Sequence, residues 1–261
     1  MILSCTTCSL RGYARDEILS CFQYAPAAGY QYWGIAGQLL WTLGGARWFD
    51  ARKAHSLSRM AGLQGCTEVY GPSFPTDSVE KAEAAAEDIA LLFDVAESLE
   101  SPLVVISGGR RGDSGLDSTI AGIRKLLPLI EDKKAKLALE PHHGSQFQTR
   151  EDYDRIFAAI DHPKVGITVD TGHFHTAGVD WKQLIQDYGS KIYNVHVKDH
   201  IGAQSVPLGR GEIDLPGMAV ALRDIGYQGA LAVELEVKDS ENLPRYVEES
   251  YRYLSQLLAN H

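Results

Sequence analysis

The chain of 261 residues is 44% hydrophobic and 23% charged, which is the composition of a globular protein with a substantial core and excludes a disordered chain. Its formal net charge of -9 gives no general attraction for polyanions, so we expect neither nucleic acid nor a membrane surface as a partner. The start MILSCTTCSLRGYARDE lacks the basic leader and long apolar segment of a signal peptide, and a cytoplasmic location is the default expectation.

The four cysteines, Cys5, Cys8, Cys21 and Cys66, all lie in the first quarter of the chain. A disulfide framework would need partner cysteines further on, and the CxxC formed by Cys5 and Cys8 lacks two further ligands at zinc-site spacing. We therefore expect free thiols packed in the core.

Eight short β-rich runs alternate with segments of helical periodicity. In chain order they read ILSCTT, YQYWGIA, TEVYG, LVVIS, KLALE, VGITVD, IYNVHV and ALAVELE. Eight strand-then-helix units in about 250 residues predict the α/β class and a single (β/α)8 TIM barrel over residues 1–261. A doubly wound sheet is the alternative, but it usually has a glycine-rich phosphate loop after its first strand, and SLRGYARDE is not one. Pro128 is expected to kink or shorten the helix pattern TIAGIRKLLPLIED.

Four of the later strands end in a residue that can bind a metal: Glu140, Asp170, His196 and Glu234. In a barrel these strand ends meet at the face that carries the active site. Three carboxylates brought together there would repel one another unless a cation holds them. An oxygen-rich set with one imidazole predicts a divalent metal ion, with Mn²⁺ as first choice and Mg²⁺ or Co²⁺ as alternatives. Any one of the four taken singly is equally compatible with a solvated rim residue.

The segments LALEPHHG, VDTGHFHTAG, VHVKDH, PLGRGEID and GYQGALAVELE resemble, in this order, the xylose isomerase-like TIM barrel superfamily. This sugar phosphate isomerase/epimerase group includes tagatose and allulose epimerases, inosose dehydratase and endonuclease family two. The resemblance implies that Glu140, Asp170, His196 and Glu234 bind the metal. It also implies that Glu140 and Glu234 serve as acid and base on opposite faces of the substrate.

Three further residues are expected at the substrate. His173 matches a histidine that in the family contacts substrate oxygen near the metal. Lys198, in the form VHVKD, resembles the dehydratase branch, where the lysine meets the substrate or braces the site; a salt bridge between barrel units is the alternative. Arg210, in PLGRGE, lies where the family closes a loop over the substrate, with a loop-bracing role as the alternative.

The loop after the fifth strand and the second strand supply the remaining candidates. His142 and His143 extend the fifth loop toward the expected pocket, although solvation of at least one is the simpler interpretation. Trp33 stands near a position where many family members carry a glutamate. The stretch 37–49 is a candidate loop over the pocket mouth, where an aromatic side chain would stack on a sugar ring; core or interface packing is the alternative.

Two departures argue against a nuclease. Ser107 stands where the family's nuclease would have a metal-binding histidine, and the nuclease's later Asp-x-His signature is missing near VPLGRGE. Arg110 and Arg111 follow the fourth strand and are candidates for a substrate phosphate or carboxylate, with a solvated loop as the alternative.

The leading functional hypothesis is a divalent-metal-dependent sugar isomerase or epimerase that transfers a proton next to a carbonyl through an enediolate. A metal-dependent lyase or dehydratase on a keto-sugar, keto-inositol or 3-keto-glycoside is the alternative. An AP endonuclease-like phosphodiesterase and a non-catalytic sugar-binding barrel rank below both. The expected partner is a small-molecule carbohydrate, and a homo-oligomer is compatible with the sequence.

Overall fold

The computed structural model describes residues 1–259 and contains a closed barrel of eight parallel strands. The barrel strands are β1 (Ile2–Thr6), β2 (Tyr32–Ile35), β3 (Gly65–Gly71), β4 (Leu103–Ser107), β5 (Lys136–Glu140), β6 (Val165–Asp170), β7 (Ile192–Val197) and β10 (Ala230–Val233). An antiparallel hairpin, β8 (Asp199–Ile201) with β9 (Gln204–Val206), follows β7. Each of the eight predicted runs forms a barrel strand. The predicted α/β class and TIM barrel architecture are thus confirmed.

Helices cover the outside of the barrel. They are α1 (Glu17–Ala28), α2 (Ala51–Met60), α3 (Val79–Ser98), α4 (Gly115–Leu126), α5 (Arg150–Ala159), α6 (Thr171–Thr176), α7 (Trp181–Tyr188), α8 (Leu215–Asp224) and α9 (Leu243–Ala259). Several begin where an aspartate or serine side chain accepts a free backbone N–H, as Asp16 does for α1 and Ser78 for α3. As predicted from Pro128, α4 ends early and passes into a 3₁₀ turn. None of the helices within residues 1–259 is long and apolar enough to cross a membrane.

The main core lies between the strands and the helices. Trp33 is part of it: its ring is 1% exposed and packs edge-on against Phe22 of α1, with 4.7 Å between ring centroids. This placement corrects the expectation that Trp33 contacts the substrate, because its side chain points outward from β2 toward the helices. The four cysteines are free and buried, as predicted.

The interior of the barrel is more polar than the helix-facing core. Around the ring the strands follow the order β1, β2, β3, β4, β5, β6, β7, β10, so that β3 and β7 stand on opposite walls. Side chains alternate along each strand, and the inward set on β3 includes Glu68 and Tyr70. Both are buried and both reach residues of other strands, which places charged and hydrogen-bonding groups below the carboxyl-end face of the barrel.

Asp199 organises the segment after the hairpin. Its carboxylate accepts the backbone N–H groups of Gly209, Gly211 and Ile213, at 2.9, 2.8 and 3.3 Å. A side chain at Gly211 would collide with Asp199, since an added Cβ would lie 2.1 Å from Oδ1. The segment is therefore folded tightly beside α9. Arg210, within this segment, pairs with Glu249 of α9.

Candidate metal centre

Glu140, Asp170, His196 and Glu234 converge at the carboxyl end of the barrel. The first two end β5 and β6, His196 lies near the end of β7, and Glu234 follows β10 directly. One ligand atom from each of the four lies within 4.8 Å of the corresponding atoms of the other three. All four side chains are buried, with at most 5% of any residue exposed. The structure thus brings together the set that strand-end position and family resemblance both indicate.

The donor set fits a divalent cation. Asp170 caps α6 with Oδ1, which accepts the N–H of His173 at 2.7 Å, whereas the buried Oδ2 lies 3.1 Å from Lys198 Nζ. Burial and the nearby carboxylates raise the pKa of Asp170 to about 6, against the opposing effect of Lys198. A bound cation would offset this crowding of negative charge, and the oxygen-rich donor set suits it.

His196 uses its two ring nitrogens toward different groups. Nδ1 faces the cluster, close to Glu140 Oε1 and 3.5 Å from Glu234 Oε2, whereas Nε2 lies 2.8 Å from Glu68 Oε2. Burial alone would lower the pKa of this imidazole, but the surrounding carboxylates outweigh it and raise the pKa well above its usual range. Because Nε2 faces Glu68, Nδ1 is the nitrogen in position to bind a metal together with the three carboxylates.

Lys198 places a fixed positive charge beside the cluster. Its Nζ lies 2.9 Å from Glu234 Oε2, 2.9 Å from Glu236 Oε2 and 3.1 Å from Asp170 Oδ2, while only 1% of its side chain is exposed. Burial opposes the charge, yet these carboxylates raise the pKa of Lys198 well above its usual range. Lys198 forms the salt bridges considered from the sequence and also lines the cavity, while its contact with a substrate stays a prediction.

Glu140 is held by Tyr70 of β3 and His142 of the loop after β5. The hydroxyl of Tyr70 donates to Glu140 Oε2, and His142 Nε2 lies 2.8 Å from the same oxygen. Burial opposes ionisation of Glu140, but His142 and His196 outweigh it and hold the pKa well below its usual range. Glu140 is consequently a carboxylate, and its orientation is set by a phenol from β3, two strands away around the barrel.

Glu234 is held by a thiol and an ammonium. Cys8, just after β1, donates its S–H to Glu234 Oε1 at 3.1 Å, and Lys198 approaches the other oxygen. Burial and the charge of Glu234 raise the pKa of Cys8 well above its usual range, so the thiol stays a neutral donor. Although burial opposes it, His196 and Lys198 lower the pKa of Glu234 to about 2.

A cavity of about 250 Å³ opens above the cluster. Its floor includes Glu140 and Glu234, and its walls are formed mainly by Cys8, Arg11, Trp41, Tyr70, Ser73, Ser107, His142, Lys198 and Glu236. The guanidinium of Arg11 lies over the ring of Trp41, 4.2 Å from its centroid. The cavity thus combines an aromatic wall with charged groups and has room for a small polar molecule.

The remaining predicted substrate contacts divide into two groups. His173 lies beside the cavity: its ring is 4.1 Å from that of His142, and its Nε2 is 3.4 Å from Lys198 Nζ. Burial and these cationic neighbours lower the pKa of His173 to about 3, so its imidazole is neutral. His143, in contrast, is exposed on the fifth loop, and the expectation that it lines the pocket is not met; its neighbour His142 does so instead.

Arg210 and the two arginines after β4 are also placed away from the cavity. Arg210 pairs with Glu249 and lies over the ring of Tyr246, so the bracing alternative describes its contacts. Arg111 forms a two-pronged ion pair with Asp152 at 2.9 Å for both bonds. Arg110 is part of an exposed loop. None of these three arginines lines the cavity above the metal-binding cluster.

Several residues of the site were not predicted from the sequence. Tyr70 and Glu68 lie in the strand TEVYG, where a charged residue inside an otherwise apolar run was the available signal. Cys8 was assigned to the core, and no pattern marks Arg11. Trp41, in contrast, lies in the stretch 37–49, which was a candidate loop over the pocket mouth, and it lines the cavity. Because these side chains come from β1 to β3 and their loops, they lie in the half of the chain that lacks the family's recognisable motifs.

Comparison with known proteins agrees with this architecture. The family model described as xylose isomerase-like TIM barrel matches residues 22–257. An inosose dehydratase of Clostridium perfringens is 30% identical over 135 residues, which cover 44% of this chain and 45% of that protein. The matched stretch spans about half the length of the curated relatives.

Solved structures resemble the whole barrel. The IolI protein, crystallised with a binding zinc atom, superimposes with a TM-score of 0.81 at 19% identity and covers 100% of this chain and 99% of its own. A D-tagatose 3-epimerase-like protein gives a TM-score of 0.80 at 19% identity, with 100% and 98% covered. At this identity the likeness supports the fold alone. The family model, which spans nearly the whole sequence, shows that the chain belongs to the xylose isomerase-like TIM barrel family.

Proposed function

We propose that the protein is a divalent-metal-dependent sugar isomerase or epimerase that transfers a proton next to a carbonyl through an enediolate. The observation that carries the proposal is the pairing of two carboxylates with two separate neutral donors. Glu140 accepts a hydrogen bond from the hydroxyl of Tyr70, and Glu234 accepts one from the thiol of Cys8. Each carboxylate is ionised and held in one orientation, so either can act as the base, and the one that takes up the proton becomes the acid of the next step.

Glu140, Asp170, Glu234 and Nδ1 of His196 would hold the metal, with Mn²⁺ as first choice and Mg²⁺ or Co²⁺ as alternatives. When bound, the metal would polarise the substrate carbonyl and acidify the adjacent C–H. One glutamate takes that proton and, now protonated, returns it to the neighbouring carbon in an isomerisation. In an epimerisation the second glutamate delivers to the other face a proton that it has first taken from solvent. The neutral imidazole of His173 can donate a hydrogen bond to a substrate hydroxyl or accept one from it. The ring of Trp41 offers a flat surface on which a sugar ring can stack.

The substrate class follows from the cavity and from the relatives. A cavity of about 250 Å³ with aromatic and charged walls suits a monosaccharide or cyclic polyol ketone rather than a polymer. The matched proteins are named inosose dehydratase and D-tagatose 3-epimerase-like, and both names denote small polyhydroxylated carbonyl compounds as substrates. We therefore infer a small keto-sugar, sugar acid or keto-inositol as the substrate.

A dehydratase is the second candidate, and Lys198 favours it. Its ammonium lies 2.9 Å from Glu234 Oε2 and borders the cavity, where it could protonate a departing hydroxide while the glutamate holds the proton taken from carbon. Elimination would use the same enediolate as isomerisation. The two candidates differ only in whether a β-substituent leaves.

Proton NMR in D₂O tests both candidates. The purified chain is incubated with catalytic Mn²⁺, which is removed before acquisition, and with ketohexoses, sugar acids, inosose and 3-keto-glucosides in turn. Deuterium next to the carbonyl together with an isomer would support the isomerase. An unsaturated product would support the dehydratase instead. A chelated, metal-free sample provides the control, and full activity in that sample would refute the metal-dependent mechanism.

A further inference from the structure

Glu68 is a buried carboxylate that the proposed proton transfer does not use. It lies in the middle of β3 with 0% of its surface exposed. Its side chain crosses the barrel interior to β7 on the opposite wall, where Oε2 lies 2.8 Å from His196 Nε2 and also accepts the side-chain N–H of Asn194. A carboxylate in this position is costly unless a partner holds it, and His196 is the partner with ionic character.

The Glu68 side chain fits in the barrel interior because the neighbouring residue on β2 is a glycine and has no side chain there. Gly34 on β2 stands next to Glu68, and an added Cβ there would lie 2.8 Å from both Cγ and Oε1 of Glu68. Gly34 has no positive φ, so its backbone does not require glycine. The requirement is space. Ala138 and Ala232, two residues before Glu140 and Glu234, are also small and buried, which keeps the interior below the cluster open.

The contact fixes which nitrogen of His196 faces the cluster. The Glu68 carboxylate accepts a hydrogen bond from the Nε2–H group, and Nδ1 then points at Glu140, Asp170 and Glu234. Histidines that bind metals commonly donate their other N–H to a carboxylate, which sets the tautomer and the ring orientation. Without Glu68 the ring could rotate or donate from the other nitrogen, because Asn194 contacts the carboxylate rather than the imidazole.

We propose that Glu68 is a positioning residue of the metal centre, which holds the Nε2–H of His196 so that Nδ1 presents its lone pair to the metal, and that Gly34 is glycine to make room for it. This inference rests on the metal site proposed above. It assigns a role in metal binding to two residues on β2 and β3, strands that supply none of the four ligands.

The test measures metal affinity rather than turnover. Free Mn²⁺ is counted by electron paramagnetic resonance during titration of the wild type, Glu68→Gln and Gly34→Ala. We expect each substitution to weaken Mn²⁺ binding about 10- to 100-fold. Thr168→Val is the matched control, since Thr168 is equally buried on β6 and its hydroxyl has no hydrogen-bond partner in the described chain. Its affinity should equal that of the wild type.

Two further measurements separate positioning from general destabilisation. The double variant Gly34→Ala/Glu68→Gln should bind Mn²⁺ no more weakly than the weaker single variant, because both act through one side chain; multiplied losses would refute the role of Gly34. At saturating Co²⁺ the visible absorption of Glu68→Gln should differ from the wild type, since a turned imidazole changes the ligand field. A purely structural role would leave that spectrum unchanged.

The failures of the two proposals are distinguishable. If the wild type binds Mn²⁺ and folded Glu68→Gln binds it equally well, the positioning role is wrong while the metal site stands. If Glu68→Gln does not fold, Glu68→Asp, which withdraws the carboxylate by one methylene, carries the same test, and wild-type affinity would overturn the inference. If the wild type binds no divalent metal, the proposed function itself fails.

Discussion

The two halves of the barrel contribute different kinds of residue to one site. Strands β5 to β10 supply the four candidate metal ligands and Lys198, whereas β1 to β4 and their loops supply Cys8, Tyr70 and Glu68, each of which contacts one ligand. The ligands are charged groups at strand ends. The supporting groups are a thiol, a phenol and one carboxylate hidden within a strand. The second half of the chain thus contributes the candidate metal ligands, and the first half contributes side chains that hydrogen-bond to three of them.

The largest effect is expected from removal of a ligand in the second half. Asp170→Ala and His196→Ala should each abolish stable metal binding, because three donors remain where four lie within 4.8 Å. Glu234→Gln should keep an oxygen donor and retain much of the metal, yet lose turnover about 10²- to 10⁴-fold with the loss of the acid or base. Metal content by atomic absorption and deuterium exchange by NMR measure the two effects separately. Equal metal loss in all three variants would contradict separate roles.

Lys198→Met should have the next largest effect, on stability. The substitution removes the ammonium from three carboxylates, and loss of one partner from a buried ion pair lowers the free energy of unfolding by about 3 to 5 kcal/mol. This loss applies to the metal-free protein. With Mn²⁺ present the decrease should be smaller, since the cation offsets the same negative charge. Urea denaturation in chelator and in Mn²⁺ gives both values, and an equal loss in the two conditions would separate Lys198 from the metal site.

A smaller effect on turnover is expected from Tyr70→Phe in the first half. The phenol donates to the ionised Glu140, and a hydrogen bond to a charged group contributes about 1.5 to 3 kcal/mol. Its loss predicts a decrease in kcat of about 10- to 100-fold, with Mn²⁺ still bound. Steady-state kinetics on the substrate identified by NMR provides the measurement. Ser73→Ala is the comparison variant and should change kcat less, because within residues 1–259 the hydroxyl that it removes is hydrogen-bonded only to Ser107 on the cavity wall.

The same contrast explains how far the sequence alone predicts the molecule. The eight strands follow from apolar runs and spacing, and Glu140, Asp170, His196 and Glu234 stand out because a charge after a buried run needs a reason. Contacts between residues far apart in the sequence carry no such signal. Tyr70 meets Glu140 and Cys8 meets Glu234 from positions 70 and 226 residues away along the chain. Arg210 and Trp33 were misplaced because spacing predicts the loop or strand but not the direction of the side chain.

A pH-dependent effect is expected where the two halves join outside the site. Asp152 on α5 pairs with Arg111 from the loop after β4 and caps its own helix; burial opposes ionisation, but these contacts lower the pKa of Asp152. Its contribution to stability is therefore present above the unfolded pKa of about 3.9 and is lost as pH falls through the lower folded pKa. Asp152→Asn should cost about 1 to 3 kcal/mol at pH 7 and progressively less below about pH 4.

Urea denaturation between pH 3 and pH 7 measures that difference. Asp161→Asn is the control, because the side chain of Asp161 is fully exposed and its closest cation is 4.0 Å away. A loss for Asp152→Asn that stays constant down to pH 3 would mean that the carboxylate carries no depressed pKa. A loss of stability confined to low pH would mean that folding raises the pKa of Asp152 instead of lowering it.

The smallest effect is expected from Arg210→Ala. Its guanidinium is about half exposed and pairs with Glu249 on α9, and an ion pair of this kind contributes about 0.2 to 1 kcal/mol. We expect KM and kcat to stay at wild-type values. Arg11→Ala is the informative partner, because Arg11 lines the cavity and supports Trp41, so KM should rise while kcat changes little. A raised KM in Arg210→Ala, with Arg11→Ala unchanged, would move substrate recognition to the second half and contradict the division between the halves.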